Sequence, residues 1–338
     1  MSAPRQPDRI LIARTGTDQG AAHALGITYE GEAIPGLHQG RAPASDRRAH
    51  VRVSERDRVS ADWDPRGARR IVDRRHPDGE LFMSIDFHPA QGYRIDAPGH
   101  GLHLVSSDGC AVHLSRMAIP TWPSQLLLVA QTLPLVAVLQ GLEIFHAAGI
   151  TIGPSVFGLV GPSGAGKSSV ACHLIAQGAT FFTDDVLALQ YAHGRLVVHP
   201  GPRFANVHEH ELQAVAEGRR ARLGEMLGRS DKLHLRPHGD AQPRPLAGLL
   251  MLRRPAPVSG VALTPEDAVD PRDLLASAFV TYVQSAERLT SHLELCAVVA
   301  RASMTHSVLI GARASAADVA RGILTHLPEP APAPRATR

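Results

Sequence analysis

The sequence predicts an α/β protein in which a P-loop-containing catalytic part follows a strand-rich N-terminal region. Three observations predict it. The run Gly161-Pro162-Ser163-Gly164-Ala165-Gly166-Lys167-Ser168 fits the phosphate-binding pattern G-x-x-x-x-G-K-S without a mismatch. Residues 156–160 before it read as a short buried strand, and residues 169–177 after it read as a helix stopped by Gly178. A second apolar run ends in Asp184-Asp185, 17 positions beyond Lys167. The division expected is 1–120 for the strand-rich region, 121–327 for the catalytic part and 328–338 for a disordered Pro-Ala-Arg tail.

Taken in order, the first 120 residues hold short apolar runs, such as Ile10-Leu11-Ile12 and Leu81-Phe82-Met83, between many turn residues. Segment 42–75 is rich in Arg and Asp and poor in apolar residues, and it reads as an exposed or mobile insertion. No catalytic motif falls in this region, which serves either to recognise a substrate or to buttress the catalytic part. The most apolar stretch of the chain is 126–145. It is interrupted by Gln131, Thr132, Pro134, Gln140, Gly141 and Glu143, whereas a spanning helix wants about 20 predominantly apolar residues. A buried helix over 123–140 is therefore expected, running into the strand that holds His146.

In the loop, glycines let backbone N–H groups converge on a polyphosphate, helped by the helix N-terminus. Gly161, Ser163, Gly164, Ala165, Gly166, Lys167, Ser168 and Ser169 are the candidate nucleotide contacts. Lys167 can neutralise the β- and γ-phosphates of ATP, and the Ser168 hydroxyl can ligate Mg²⁺. A glycine-rich turn that binds nothing is the alternative. Beyond Asp185, His193-Gly194 between two apolar runs reads as a hairpin turn, and Pro200-Gly201-Pro202 as a rigid bend near the phosphates. Residues 209–227 read as a helical segment weakened by Gly218 and Gly224. Residues 249–252 read as a buried strand ending in Arg253-Arg254, either a stabiliser of phosphoryl charge or a solvated strand end. Amphipathic helices are expected over 271–288, capped by Asp270-Pro271, and over 316–327. His208-Glu209-His210-Glu211 departs from H-E-x-x-H and reads as an exposed helix start, not a metal site.

His146, in Phe145-His146, lies 21 positions before Lys167. In ordinary P-loop NTPases the acidic metal ligand arrives much later in the chain than Asp184-Asp185 does here. This tight series of His, loop and Asp-Asp resembles the catalytic domain of HPr kinase/phosphorylase, a bacterial serine kinase on a fold related to phosphoenolpyruvate carboxykinase. The resemblance covers roughly residues 140–205 well and the rest of the C-terminal half loosely. It implies that Asp184 is the base, that His146 supports it, and that Asp185 joins Ser168 in the metal shell. Elementary chemistry agrees with such a split, because one carboxylate can accept the hydroxyl proton while its neighbour orients Mg²⁺. The plain alternatives are a solvated Asp-Asp turn and a satisfied core histidine. The family's second signature, an E-V-A-A-x-N-x-R-like segment, has no match, and the N-terminal region differs from the family's usual regulatory domain.

Of 35 basic residues only Lys167 and Lys232 are lysine, which suggests a GC-rich genome that uses arginine wherever a planar fork fits. Lys232, in Ser230-Asp231-Lys232-Leu233-His234, is therefore a candidate for contact with phosphate or product, against chance retention on a surface strand. Proteins of the resembled family carry lysine in this kind of segment. The net charge of +3 comes with scattered arginine pairs rather than a tract, and aromatics are only 4%, which together argue against nucleic acid as a partner. Cys110, Cys172 and Cys296 form no C-x-x-C pair, so a reducing cytoplasm is the expected compartment. The N-terminus lacks an apolar signal region.

The function expected is ATP- and Mg²⁺-dependent transfer of the γ-phosphoryl group to a serine hydroxyl of a protein or peptide. The shape resembles HPr-kinase-like proteins of ribosomal-peptide pathways, such as lasso-peptide kinases, which implies a peptide precursor as acceptor. A carboxykinase-like transfer to a metabolite and a nucleotide-gated binding protein without transfer are the rivals. Kinases of the resembled family are hexamers; a homo-oligomer is compatible with the resemblance, though no residue here carries it.

Overall fold

The computed structural model describes residues 20–327, apart from 44, 118–120, 267–268 and 303. The Ile10-Leu11-Ile12 run and the tail expected at 328–338 lie outside the described residues. The first sheet is built from β1 (Ala22–Ala24), β2 (Ile27–Gly31), β3 (His38–Gln39), β4 (Arg48–Ser54), β5 (Arg69–Arg75), β6 (Leu81–His88), β7 (Gly92–Ala97), β8 (Gly101–Val105) and β9 (Ala111–Ser115), with helix α1 (Arg56–Ala61) after β4. Its order is β3-β1-β2-β4-β9-β8-β7-β6-β5. Strand β4 runs parallel to β2 and β9 in the middle of this sheet. The Arg/Asp-rich segment is therefore an integral part of the sheet, not an insertion. Alternation explains the difference: Ala49 and Val51 turn inward, while the arginines face out and meet acids, as in the 2.7 Å Arg70–Asp86 pair.

The expected apolar helix is present as α2 (Trp122–Leu127), a π turn at Leu128–Thr132 and α3 (Leu133–Leu139). Pro134 has no N–H to give, and Leu133 N–H bonds back five residues to Leu128 O, which widens the helix there. This helix has the length and apolarity to cross a membrane, yet 67% of its 18-residue window is buried inside the protein. One hydrophobic core includes Val51, Ile85 and Ile95 of the first sheet, Leu128, Leu135 and Val136 of the helix, and Ile144 and Val186 beyond it. His103 Nδ1 and Thr132 Oγ1 share a 2.7 Å hydrogen bond across the same junction.

The second sheet contains β10 (Glu143–Phe145), β11 (Ala147–Ile152), β12 (Ser155–Val160), β13 (Thr180–Thr183), β14 (Leu187–Ala192) and β15 (Arg195–His199). Strands β16 (Ala205–Val207), β17 (Glu225–Arg229) and β18 (Leu233–Arg236) make a separate small sheet, ordered β16-β18-β17. The large sheet is completed by β19 (Arg244–Ala256), β20 (Val261–Glu266) and β21 (Met304–Gly311). Its path is β10-β14-β15-β19-β12-β11-β13, with β21 on β19 and β20 on β21. Helices α4 (Lys167–Ala176) and, near the C-terminus, Ala316–His326 pack their apolar faces with Phe157, Leu159, Leu250 and Val308. The helix Ala286–Ala302 uses Leu295, Cys296 and Val299 against Val156 and Leu249. The hairpin turn at His193-Gly194 forms as expected, both residues having positive φ (51° and 73°).

Two expected helices are shorter than their periodicity implied. Residues 209–227 break into helices at Glu209–Ala214 and Glu217–Arg220, a 3₁₀ turn at Ala221–Leu223 and the start of β17. Val215 is extended between the two helices, and Gly224 takes φ 83° to enter the strand. The helix expected over 271–288 is cut to Pro271–Ala276, capped by Asp270 accepting from Arg272 N, and the next helix begins only at Ala286. Beyond it the backbone turns to bond with the edge of β10: Phe279 N donates to Ile144 O (2.9 Å), and His146 N to Ser277 O.

Candidate functional site

Loop 161–166 connects β12 to the N-terminus of α4. Gly164 and Gly166 hold φ 82° and 92°, and a Cβ on either would meet nothing within 4 Å, so backbone freedom and not space requires glycine there. Lys167 is the first residue of α4 and is buried. Its ammonium folds back over the loop and donates to Gly161 O (3.0 Å) and Pro162 O (3.3 Å). Burial lowers its pKa, while the negative charges of Asp185 and Asp184 act in the other direction.

Ser168 Oγ donates to Asp184 Oδ1 at 2.8 Å. The other carboxylate oxygen, Oδ2, accepts from Asn206 N at 3.0 Å. Asp184 is only 4% exposed, and burial, with the neighbouring Asp185 charge, pushes its carboxyl up to about 7. Asp185 is half-buried and sits in the left-handed region, φ 62°, unusual for a residue with a side chain. Its flanks hold it there: Val186 N donates to Asp184 O (2.8 Å), and Thr183 Oγ1 to Val186 O (2.5 Å). His146 Nδ1 donates to the Asp185 carbonyl (3.1 Å), and its ring stacks on Phe279 at 5.8 Å. Burial, then the Lys167 charge, lowers the His146 pKa, so the ring is predominantly neutral at pH 7.

Lys232, half-buried, lies in the turn between β17 and β18. Its charge contributes to lowering the pKa of both Lys167 and His146, so it lies within electrostatic range of the loop lysine. The structure thus brings together Lys167, Ser168, Asp184, Asp185, His146 and Lys232. Ser168 is bonded to Asp184 rather than to Asp185, the carboxylate with which it was expected to share a metal. Their hydroxyl and carboxylate oxygens are a hard donor set of the kind Mg²⁺ takes. The arginines at the end of β19 are engaged within the protein: Arg253 pairs with Asp273 (2.6 Å), and Arg254 donates to Ala314 O (2.8 Å). Of the His-Glu series, His208 precedes a helix start and Glu211 accepts from His173 Nε2 (2.9 Å).

The bend at residues 200–202 is held by the first sheet's loops. Leu25 N donates to Pro200 O (2.7 Å), His38 Nε2 to Gly201 O (3.0 Å) and Arg203 N to Gly36 O (2.8 Å). On its other side Gly201 N donates to Phe182 O (3.0 Å), and a Cβ on Gly201 would collide with the Thr183 side chain. This seating carries the chain into β16 with Asn206 N beneath Asp184.

No family model matches this sequence, and no curated protein matches it either. Among solved structures, the Hpr(Ser) kinase/phosphatase from Coxiella burnetii is faintly similar. The likeness covers 51% of this chain and 87% of that one, with 10% identity and a TM-score of 0.26.

Sequence reasoning missed Asn206, His234 and Phe279. His234 carried a signal, since it stands two residues from Lys232 in the run Ser230-Asp231-Lys232-Leu233-His234. Phe279 was hidden by the helical periodicity of its segment. Asn206 had no signal, because its contribution to Asp184 is a backbone N–H.

Proposed function

We propose that this chain is an ATP- and Mg²⁺-dependent phosphotransferase that acts on a hydroxyl, with a serine of a protein or peptide as acceptor. The observation that carries this reading is the Ser168–Asp184 hydrogen bond directly behind Lys167. It joins a hydroxyl and a carboxylate at the mouth of a glycine loop whose lysine is already turned over the loop. Mg²⁺ held by such oxygens would neutralise charge on the phosphates. Lys167 exchanges the Gly161 and Pro162 carbonyls for phosphate oxygens, and the loop N–H groups orient them.

The burial of Asp184 favours giving it, with Ser168, the metal side. A base must reach the acceptor, and both Asp184 oxygens already have partners. Asp185 is the more open carboxylate and is the better base, the reverse of the division that the family resemblance implies. In this reading Asp185 takes the hydroxyl proton as the acceptor oxygen bonds to the γ-phosphorus. The bond from that phosphorus to the β–γ bridging oxygen breaks, and ADP leaves. His146 fixes the Asp185 backbone through its carbonyl. Lys232 adds positive charge within electrostatic range of Lys167.

The test is incubation with γ-labelled ATP, Mg²⁺ and a panel of serine peptides, proteins and hydroxyl metabolites. Label in a peptide or protein supports the full reading. Label in a metabolite retains phosphotransfer and overturns the acceptor. Lack of calorimetric MgATP binding overturns the reading as a whole.

A further inference from the structure

The small sheet β16-β18-β17 joins the Asp184 carboxylate to the turn that carries Lys232. Asn206 on β16 and His234 on β18 are register partners, so their side chains share one face of that sheet. From Asp184, whose Oδ2 holds Asn206 N, the connection continues through the Asn206 side chain: His234 Nδ1 donates to Asn206 Oδ1 at 2.7 Å. On the far side of the imidazole, Nε2 lies 3.0 Å from Ser230 Oγ. That hydroxyl closes the turn: it accepts from Lys232 N (3.3 Å) and lies 2.8 Å from Asp231 Oδ1, so its one proton serves either the imidazole or that carboxylate. Ser230 N also donates to Lys232 O (2.8 Å).

The imidazole is clamped as well as bonded. Trp122 stacks on it at 4.3 Å with planes 16° apart, and Phe204 lies 5.7 Å away at 20°. Gly228, the register partner of His234 on β17, leaves room for the indole, which any Cβ there would strike. Asn206 and His234 are both buried. Two apolar side chains would fill a paired site in so small a sheet without the demand that every buried polar atom be satisfied. Here the polar chain runs from a candidate metal-binding carboxylate at one end to the turn that carries the second of only two lysines at the other.

We infer that Asn206 and His234 are positioning residues that tie the Lys232 turn to the Asp184 carboxylate, so that filling the Ser168–Asp184 site is transmitted to Lys232. This rests on the phosphotransferase reading above. Binding at Asp184 reorients the carboxylate that holds Asn206 N, and the bond from the Asn206 side chain to His234 passes the displacement to the turn. The stacked Trp122 ring lies beside the middle of the relay and reports its movement.

The experiment uses the full chain with Trp63→Phe, which leaves Trp122 as the sole tryptophan. Mg²⁺ with a non-hydrolysable ATP analogue is titrated while Trp122 emission is followed, and calorimetry measures binding in parallel. The relay predicts a saturable emission change with the calorimetric midpoint. Asn206→Ala keeps the backbone N–H on Asp184 and should bind the analogue with near-parent affinity. It should lose the emission change and slow ADP release from MgATP by about 10- to 100-fold, the usual effect of removing an orienting partner. Ser230→Ala cuts only the last link, so it should keep the emission change and lose rate. Because Ser230 is exposed, this variant decides the matter if Asn206→Ala does not fold. An emission change that persists in Asn206→Ala, or parent rates in Ser230→Ala, overturns the relay while leaving phosphotransfer intact. Absence of analogue binding by the parent overturns both.

Discussion

Ser168, in the first turn of α4, and Asp184, just past the end of β13, are joined by a 2.8 Å hydrogen bond although 16 positions separate them. The bond is possible because β11 lies between β12 and β13, so helix α4 returns the chain over the sheet to β13. The loop hydroxyl and the carboxylate therefore meet with no other domain involved.

Lys167→Ala should abolish detectable calorimetric binding of MgATP while the far-ultraviolet circular dichroism stays that of the parent. The side chain's bonds are to loop carbonyls, and it supplies the main positive charge of the cradle. Tight binding by this variant would remove the loop from the nucleotide site.

The two carboxylates should separate under isosteric substitution. Asp185→Asn should retain MgATP binding and lose transfer by about 10²- to 10⁴-fold, the span typical of a general base. Asp184→Asn should weaken Mg²⁺-dependent nucleotide binding itself. If Asp184→Asn binds normally and only its turnover falls, the roles are those implied by the family resemblance.

Ligand-free stability should fall as pH rises through neutrality. The Asp184 carboxyl is raised from an ordinary 3.8 to about 7, so between these values the folded state keeps a proton that the unfolded chain has released. The resulting stabilisation is complete below the ordinary value and is lost as pH rises through about 7. Asp184→Asn should flatten this dependence and exceed the parent in Tm at pH 8 without nucleotide. A parent Tm that climbs between pH 5 and 8, with the Asn variant following it, would contradict the assignment.

A second group acts at higher pH. His292 Nδ1 donates to Glu143 Oε2 (2.8 Å) in a buried cluster with Arg288 and Cys296. The Cys296 sulfur and the Glu143 carboxylate, against the effect of burial, raise this histidine from 6.5 to about 9. Its stabilisation is complete below about 6.5 and is lost as pH rises through about 9. Urea titrations at pH 6 and pH 9.5 should show the loss, and Glu143→Gln should shrink the difference.

Lys232→Arg preserves charge and should leave thermal stability within about 0.5 kcal/mol, as for a surface substitution. The transfer rate should fall sharply, since a planar fork does not reproduce a compact ammonium within electrostatic range of Lys167. Unchanged rate and unchanged stability would make Lys232 an ordinary surface residue.

The parts of this fold that were legible in the sequence are those fixed locally. The glycine loop, helix α4, the His193-Gly194 hairpin and the buried helix before His146 each follow from a motif, a turn pair or a long apolar run. Strand β4 was obscured because its arginines dominate the composition while Ala49 and Val51 carry the pattern. The segment around Phe279 has helical spacing, but the free edge of β10 offers it backbone partners that no local pattern reveals. The candidate site divides in the same way. Lys167 and Ser168 were marked by their motif, whereas Asn206 and His234 depend on the pairing of β16 with β18 across a separation of 28 residues.

The helix that begins at Trp122 is covered by the first sheet on one side and continues into the second sheet's core on the other. A chimaera made by exchanging the first 120 residues would have to bring a surface matched to Leu128, Leu135 and Val136. It would also need substitutes for Leu25, Gly36 and His38, which hold the bend leading to Asn206. Recombination at that boundary is therefore constrained from both ends, and an expressed fragment beginning at 121 should aggregate through the uncovered helix face.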